Sequence, residues 1–415
     1  MILSPSDLHG QISAIPSKSD AHRLLICSAL ADRKTPLRLR ASSEDIDATC
    51  RCLTALGAKI TRQDGLVTVE PIREIPENPI LDCGESGSTL RFMIPVAAAI
   101  CPKASFQGRG RLPSRPLRDL VEAIEAHGVS FSSPCLPLTT KGLLTGGTYK
   151  LAGNVSSQYI TGLLLALSKL GEASEIELTT PLESAAYIDI TLHSLSRFGI
   201  NIEKTQSGWR IPKCSRFHSP KELSVDGDWS NSSFFLAAGA IGNDVMVSGL
   251  DLCSPQGDKA ILEVLSKFGA KVETTEDGIK VFPAPLHGCT VDVSSIPDAL
   301  PILSIVASCA EGKTCFTNAA RLRLKESDRL ATTAAMLKAI GISATESPEG
   351  LTVEGGKIRG GKVDGANDHR IVMAAAIAAT VSESEIEITD SHAVNKSYPA
   401  FFEDYRKLGG IANGI

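Results

Sequence analysis

No stretch of this chain is both long and apolar enough to cross a bilayer. The best candidate, MIPVAAAI at 93–100, falls far short of the roughly 20 residues a spanning helix needs. There is no excess of basic charge either: 42 lysines and arginines stand against 47 aspartates and glutamates, a net −5 at neutral pH. That excludes a global basic field for nucleic acid or an anionic membrane, so any bound anion must be held by a local arrangement. The 11 cysteines have neither metal-site spacing nor the density of a disulfide scaffold. Such usage fits a reducing cytoplasm, with thiols serving as small core residues. Cys50, Cys52 and Cys83 in particular make no ligand set with nearby histidines. The opening MILSPSDLHGQ has no basic segment leading into an apolar run, so no signal peptide is expected. The loop Gly84-Glu-Ser-Gly-Ser-Thr-Leu-Arg91 resembles a phosphate-cradling glycine loop but lacks the Gly-Lys-Ser/Thr of a nucleotide P-loop, and the chain shows no Ser-His-Asp order.

What is present is a chain of 415 residues, 43% hydrophobic and 21% charged, the balance of a soluble globular protein too long for one core. Self-comparison shows its organisation. An apolar helix end, a glycine and an alternating strand recur six times: LTALGAKIT, IEAHGVSFS, LSRFGINIE, LSKFGAKVE, LKAIGISAT and YRKLGGIAN. The glycines, Gly57, Gly128, Gly199, Gly269, Gly341 and Gly409, are 68 to 72 residues apart. Each follows an apolar face at helical spacing, as a left-handed helix stop does, and precedes the alternation of a half-buried strand.

Each unit also opens alike, with a small polar loop running into an apolar helix: PSKSDAHRLLICSALA, CGESGSTLRFMIPVAAA, GNVSSQYITGLLLALS, GDWSNSSFFLAAGAI, SSIPDALPILSIVAS and GANDHRIVMAAAIAA. Ser, Asp, Asn and Gly start helices because they satisfy the orphan N–H groups. Helix starts gathered on one side would present several positive dipole ends to anions. The pattern predicts alternating α/β units grouped as two lobes of three with a cleft between them. Pro16 and the polar start at Val225-Asp-Gly-Asp-Trp-Ser mark where the chain passes between lobes. The expected division is 1–14 plus 225–415 for a lobe holding both termini, and 15–224 for an inserted lobe.

Five of these loops carry more charge or hydrogen-bonding capacity than a cap requires. The segment RLRLKESDR at 321–329 packs four cations and two acids ahead of an apolar helix. Arg321, Arg323 and Lys325 alternate with Leu322 and Leu324, which predicts a strand end with cations on one face and leucines inward. Ser327 or Asp328 can cap the helix that follows, leaving Arg329 in its first turn. A cation there opposes the helix dipole at a cost of roughly 0.3–1 kcal/mol unless an anion sits nearby. Glu326 is either an ion-pair partner or a proton-transfer group. Asp298, an acid amid apolar neighbours, is either a helix cap or a base whose pKa burial raises. Lys18, Ser19 and Arg23 open the first helix, and Asn154–Gln158 offers two hydroxyls and an amide at another. Arg115 and Arg370 add guanidiniums, the groups that fork onto carboxylate and phosphate. His22 reads as a helix-face residue and His369 as a loop-ordering one. The residues together describe an enzyme gripping a substrate with at least two anionic groups.

PSKSDAHR, CGESGSTLR, GRGRLPSRP, NVSSQ, ESAAYIDIT, DGDWSNSS, IPDA, LKESDR, NDHR and NKSYP occur in that order along the chain. In this it resembles the 3-phosphoshikimate 1-carboxyvinyltransferase (EPSP synthase) family over essentially its whole length. The resemblance implies a two-lobed enolpyruvyl transferase fold, an inside-out α/β barrel with three α/β units per lobe and the active site in the interlobe cleft. It implies transfer of the enolpyruvyl group of phosphoenolpyruvate to the 5-hydroxyl of shikimate 3-phosphate through a tetrahedral intermediate, in a cytoplasmic monomer without metal or organic cofactor. Lys18, Ser19, Arg23, Ser156, Ser157, Gln158, Ser184, Tyr187, Asp298 and Lys325 are implied at shikimate 3-phosphate. Lys18, Gly87, Arg115, Gln158, Arg329, Arg370 and Lys396 are implied at phosphoenolpyruvate. Asp298 is implied as the acceptor of the 5-hydroxyl proton, with Glu326 and Lys18 completing the catalytic set.

Three positions depart from the family pattern: Glu85 stands where many relatives have Asn, Phe92 where others have Pro, and Arg321 where some have Asn. Glu85 bears on phosphoenolpyruvate affinity and inhibitor binding, and Phe92 on sensitivity to the inhibitor glyphosate, which occupies that site in sensitive members. The sister UDP-N-acetylglucosamine enolpyruvyl transferases usually carry a reactive Cys ahead of Arg-Pro, and GRGRLPSRP has none. A non-catalytic anion-binding repeat protein is the other alternative; it would gain nothing from the acids Asp298 and Glu326.

Overall fold

All six repeat glycines have left-handed backbone, with φ between +80° and +110°. This region is open to glycine because it has no Cβ, and each residue ends a helix and turns the chain into a strand. At Gly57 the space is closed as well, since a Cβ would strike the carbonyl of Glu74. The computed structural model describes residues 1–213 and 216–414.

The described helices come in six pairs, one pair to a repeat: α1 (Lys18–Leu30) and α2 (Glu44–Ala55); α3 (Gly87–Ile100) and α4 (Arg118–Glu125); α5 (Ser157–Leu170) and α6 (Ala185–Arg197); α7 (Trp229–Ala240) and α8 (Ile261–Phe268); α9 (Leu300–Ser308) and α10 (Arg329–Ala339); α11 (His369–Ala379) and α12 (Phe401–Lys407). The first helix of each pair is buried along nearly its whole length, matching its all-round apolar sequence. Five of these begin on a side-chain cap, Ser17, Ser86, Ser156, Asp228 or Asp368, accepting from an amide of the first turn. The exception is α9, which is entered through the 3-10 turn Pro297–Ala299 without a side-chain cap.

Each repeat also builds one small sheet. In the third, Thr148–Leu151 runs parallel to Ser174–Leu178, which pairs antiparallel with Gly208–Ile211, the hairpin partner of Glu203–Lys204. The second and fifth repeats use the same order. In the fourth, His9–Ser13 is the strand parallel to Asp244–Ser248; in the sixth, Ile2–Ser4 lies antiparallel between Ile386–Ile388 and Ile411–Asn413. The N-terminal residues therefore belong with the last three repeats. The first repeat has three strands, and Ser224 bridges to Arg38 at its edge.

The chain divides into two units, an inserted unit Pro16–Val225 and a terminal unit made of Met1–Ile15 with everything from Asp226 onward. Each has its own core. That of the inserted unit is built around Phe92, Phe106, Tyr149 and Tyr159, that of the terminal unit around Trp229, Phe234, Phe235, Phe268 and Phe401.

The strand end expected at 321–325 does not form. Ala320–Leu324 is a 3-10 helix rather than a strand end. With three residues per turn, alternate residues do not share a face: Leu322 is buried, but Leu324 is 48% exposed. Arg323 turns to Asp328 and Glu346, at 3.0 and 2.8 Å, whereas Lys325 reaches Asp298.

Candidate active site

In the inserted unit, hydrogen bonds join the starts of α1, α3 and α5. Lys18, the first residue of α1, pairs with Asp45 at 2.9 Å. The carbonyl of Asp45 accepts the hydroxyl of Thr89 in α3. Buried His22 continues this link, its Nδ1 at 2.7 Å from Thr49 Oγ1, which lies 2.8 Å from Thr89 Oγ1. Burial first, then Lys18 and Arg23, hold His22 well below the usual histidine pKa, so its ring is neutral. Gln158 in the first turn of α5 donates to Ser88 at 2.9 Å and accepts from Arg91 Nη1 at 2.6 Å. Gly87 lies under Arg115: a Cβ there would run into its guanidinium and stand 3.0 Å from Arg91 Nη1.

Arg23 is fully buried among uncharged acceptors. It donates to Thr191 at 2.8 Å, to the carbonyls of Ser19 and Tyr187 at 2.5 and 2.8 Å, and to Thr161 at 3.3 Å. Burial lowers its pKa to about 10, and its guanidinium lies 5.1 Å from the centre of the Phe92 ring. Arg23 thus clips α1 to α5 and α6, a role its sequence position did not announce. Ser156 caps α5 and Ser157 is buried beside it. Ser184 has left-handed backbone, φ +54°, at the start of α6, and Tyr187 is half-buried one turn further on. Backbone strain of this kind costs on the order of 1–3 kcal/mol and concentrates at functional sites.

The terminal unit holds a denser cluster. Asp298 Oδ1 accepts from Lys325 Nζ at 3.0 Å and Arg329 Nη1 at 2.8 Å, and its Oδ2 lies 3.7 Å from Arg370 Nη2. Arg329, 1% exposed, also pairs with Glu326 at 2.5 Å and with both oxygens of Asp368, at 3.0 and 3.2 Å. The carboxylates of this unit therefore answer the misplaced cation in the first turn of α10. Asp328 caps that helix, and Ser327 donates instead to Asp368. Lys396 reaches the carbonyl of Asn367 at 2.7 Å, in a turn where Ala366 and Asn367 are both left-handed.

Asp298 is not a helix cap. Nor is its pKa raised. Burial alone would raise it, but Lys325, Arg329 and Arg370 together hold it well below the ordinary carboxylate range. Burial also lowers Lys325, against the attraction of Asp298. Arg329 is shifted the other way: burial disfavours its charge, yet Asp368, Glu326 and Asp298 hold it firmly protonated. The cluster is a set of cations held around carboxylates.

Sequence reasoning passed over three contributors. Asp45 and Thr191 carry no local signal, because 27 and 168 residues separate them from their partners Lys18 and Arg23. Arg91 had one: it lies four residues after Gly87, on the same helix face.

The family model for EPSP synthase (3-phosphoshikimate 1-carboxyvinyltransferase) matches residues 2–405. The 3-phosphoshikimate 1-carboxyvinyltransferase of Clostridium novyi (strain NT) is 41% identical, covering 98% of this chain and 97% of its own. The protein of the same name from Clostridium kluyveri is 38% identical, with 98% and 97% covered. Among solved structures, an EPSP synthase from Acinetobacter baumannii superposes with a TM-score of 0.81 at 25% identity, over 98% of this chain and 97% of that one. The enolpyruvyl transferase NikO from Streptomyces tendae shares the fold, with a TM-score of 0.80 at 17% identity over 99% and 97%.

Proposed function

This chain belongs to the EPSP synthase (3-phosphoshikimate 1-carboxyvinyltransferase) family, and we infer that its buried cations bind that family's anionic substrates. The enzyme transfers the enolpyruvyl group of phosphoenolpyruvate to the 5-hydroxyl of shikimate 3-phosphate, releasing phosphate, a step of the shikimate pathway towards aromatic amino acids.

In this reading Ser156, Ser157 and Ser184 hold the shikimate phosphate. Lys18, Ser19, Arg23, Tyr187 and Lys325 bound the rest of that substrate. Gly87, Arg115, Arg329, Arg370 and Lys396 take phosphoenolpyruvate, and Gln158 touches both. The 5-oxygen adds to C2 of phosphoenolpyruvate as C3 gains a proton. The tetrahedral intermediate then loses phosphate and a C3 proton to restore the vinyl group. Asp298 accepts the hydroxyl proton, and Glu326 and Lys18 serve proton transfer at the methylene carbon. The protein works as a cytoplasmic monomer; the free thiols among the described residues, two of them exposed at Cys135 and Cys253, support a reducing compartment.

The observation that carries this reading is the sharing of one carboxylate, Asp298, by Lys325, Arg329 and Arg370. So paired, Asp298 is a weak base. Anionic substrate groups that draw these cations away raise its basicity as they bind, so the base is armed only when substrate is present. Phosphate release from phosphoenolpyruvate with shikimate 3-phosphate, against a UDP-N-acetylglucosamine control, tests the assignment. Turnover with the sugar nucleotide alone would overturn it.

A further inference from the structure

Asp258 lies outside every motif used above. It is buried, 4% exposed, in the 3-10 turn Gly257–Ala260 that leads into α8. Its Oδ1 accepts the hydroxyl of Ser230 at 3.1 Å, and the carbonyl of the same Ser230 accepts Arg370 Nη1 at 2.8 Å. A single residue in the first turn of α7 therefore joins this carboxyl to a guanidinium of the candidate site. Gln256 steadies that turn on the other side, accepting from Trp229 N at 3.2 Å and donating to the carbonyl of Gly227 at 2.8 Å.

We propose that Asp258 is a positioning residue for Arg370, setting the direction of its guanidinium through the two ends of Ser230. The proposal rests on the reading of Arg370 as a phosphoenolpyruvate ligand.

The charged groups facing Asp258 are Asp298 at the entry to α9, Arg370 in α11 and Asp228 at the cap of α7. Burial first, then the charge of Asp298, push Asp258 up to about 7, with Arg370 opposing. Below neutrality Asp258 is an uncharged hydrogen-bond partner, and the positive charge of Arg370 is left for the substrate. Above neutrality a further buried negative charge stands behind Arg370 and opposes an approaching anion. The KM for phosphoenolpyruvate should therefore rise through pH 7, with kcat moving less.

The test is steady-state kinetics on the full chain from about pH 5.5 to about 9, comparing the parent with Asp258→Asn, Asp258→Ala and Arg370→Ala. Asn keeps a carbonyl for Ser230 but cannot ionise, so its phosphoenolpyruvate KM should hold its low-pH value where the parent's climbs. Ala leaves the Ser230 hydroxyl unpaired and should hold that KM roughly tenfold above the Asn variant's at every pH, with a smaller change in kcat. If Ala fails to fold, the Asn profile carries the test alone. An Asn profile identical to the parent's, with Arg370→Ala strongly raising KM, overturns the proposal and leaves the substrate reading intact. An unchanged KM in Arg370→Ala overturns both.

Discussion

At Asp298 burial and pairing pull in opposite directions, and three cations win. Burial was legible from its apolar neighbours; the winner was not, because Lys325, Arg329 and Arg370 arrive from other elements. Asp298→Asn keeps the shape and removes the base, so kcat should fall by roughly 10²–10⁴-fold while shikimate 3-phosphate still binds. Turnover close to the parent's, measured by phosphate release, would reduce Asp298 to an ion-pair partner. Gly87 poses a steric question. A methyl there displaces Arg115 before it meets any ligand. Gly87→Ala is therefore expected to weaken phosphoenolpyruvate by about 1–3 kcal/mol. It should weaken the longer inhibitor glyphosate further, seen as a higher ratio of glyphosate Ki to phosphoenolpyruvate KM in a sensitive parent. An unchanged ratio would move Gly87 away from the pocket. A Cβ at Gly110 in the arginine loop would strike the carboxyl of Glu85, so Glu85 lies against that loop.

Between elements, α3 and α5 owe their close approach to two residues that each break a helix rule. Pro95 lies inside α3 and cannot donate to the carbonyl of Arg91, four residues earlier. Gly162 of α5 packs on that same carbonyl, with Pro95 Cγ 2.8 Å from where its Cβ would be. Gly162→Ala should thus destabilise the fold by about 1–3 kcal/mol and slacken the Arg91–Gln158 contact. A urea midpoint and substrate KM values both equal to the parent's would show that the helices part freely. The polar link His22–Thr49–Thr89 ties α1, α2 and α3 and is sensitive to acid. His22 has a lowered folded pKa. Above its unfolded value near 6.5 both states are neutral and pH has no effect. Below it the unfolded chain takes up a proton that the folded one refuses, so stability falls by up to about 1.4 kcal/mol per pH unit until the folded pKa is reached. Urea midpoints at pH 7.5 and 5.5 should differ more in the parent than in His22→Gln. Equal differences would mean His22 is protonated in place.

For the molecule as a whole, the proposed ligands are divided: Lys18, Arg115 and Gln158 belong to the inserted unit, Asp298, Arg329 and Arg370 to the terminal one. With a net charge of −5 there is no general attraction for anions, so neither set neutralises both substrates by itself. Removing a cation from either set, as in Arg115→Ala or Arg329→Ala, should therefore raise the phosphoenolpyruvate KM roughly tenfold or more. Steady-state kinetics checks this, and an unchanged KM in either variant would take that residue out of the site.

The sequence by itself determined the six repeats, their helix stops at glycine and five of the six helix caps. These are local matters: a positive φ, an orphan amide and an apolar period are settled within a few residues of chain. It also showed where cations collect. Tertiary structure decided what those cations hold before substrate arrives. Arg329 meets Asp368 across 39 residues, and Arg23 meets Thr191 across 168. No periodicity reaches so far, because such pairs exist only once helices pack. Packing also chose the 3-10 turn at 320–324 over the strand that alternation suggested, burying Leu322 and sending Arg323 and Lys325 to different carboxylates. An ion pair is a property of two neighbours in space, and the chain writes down only neighbours in order.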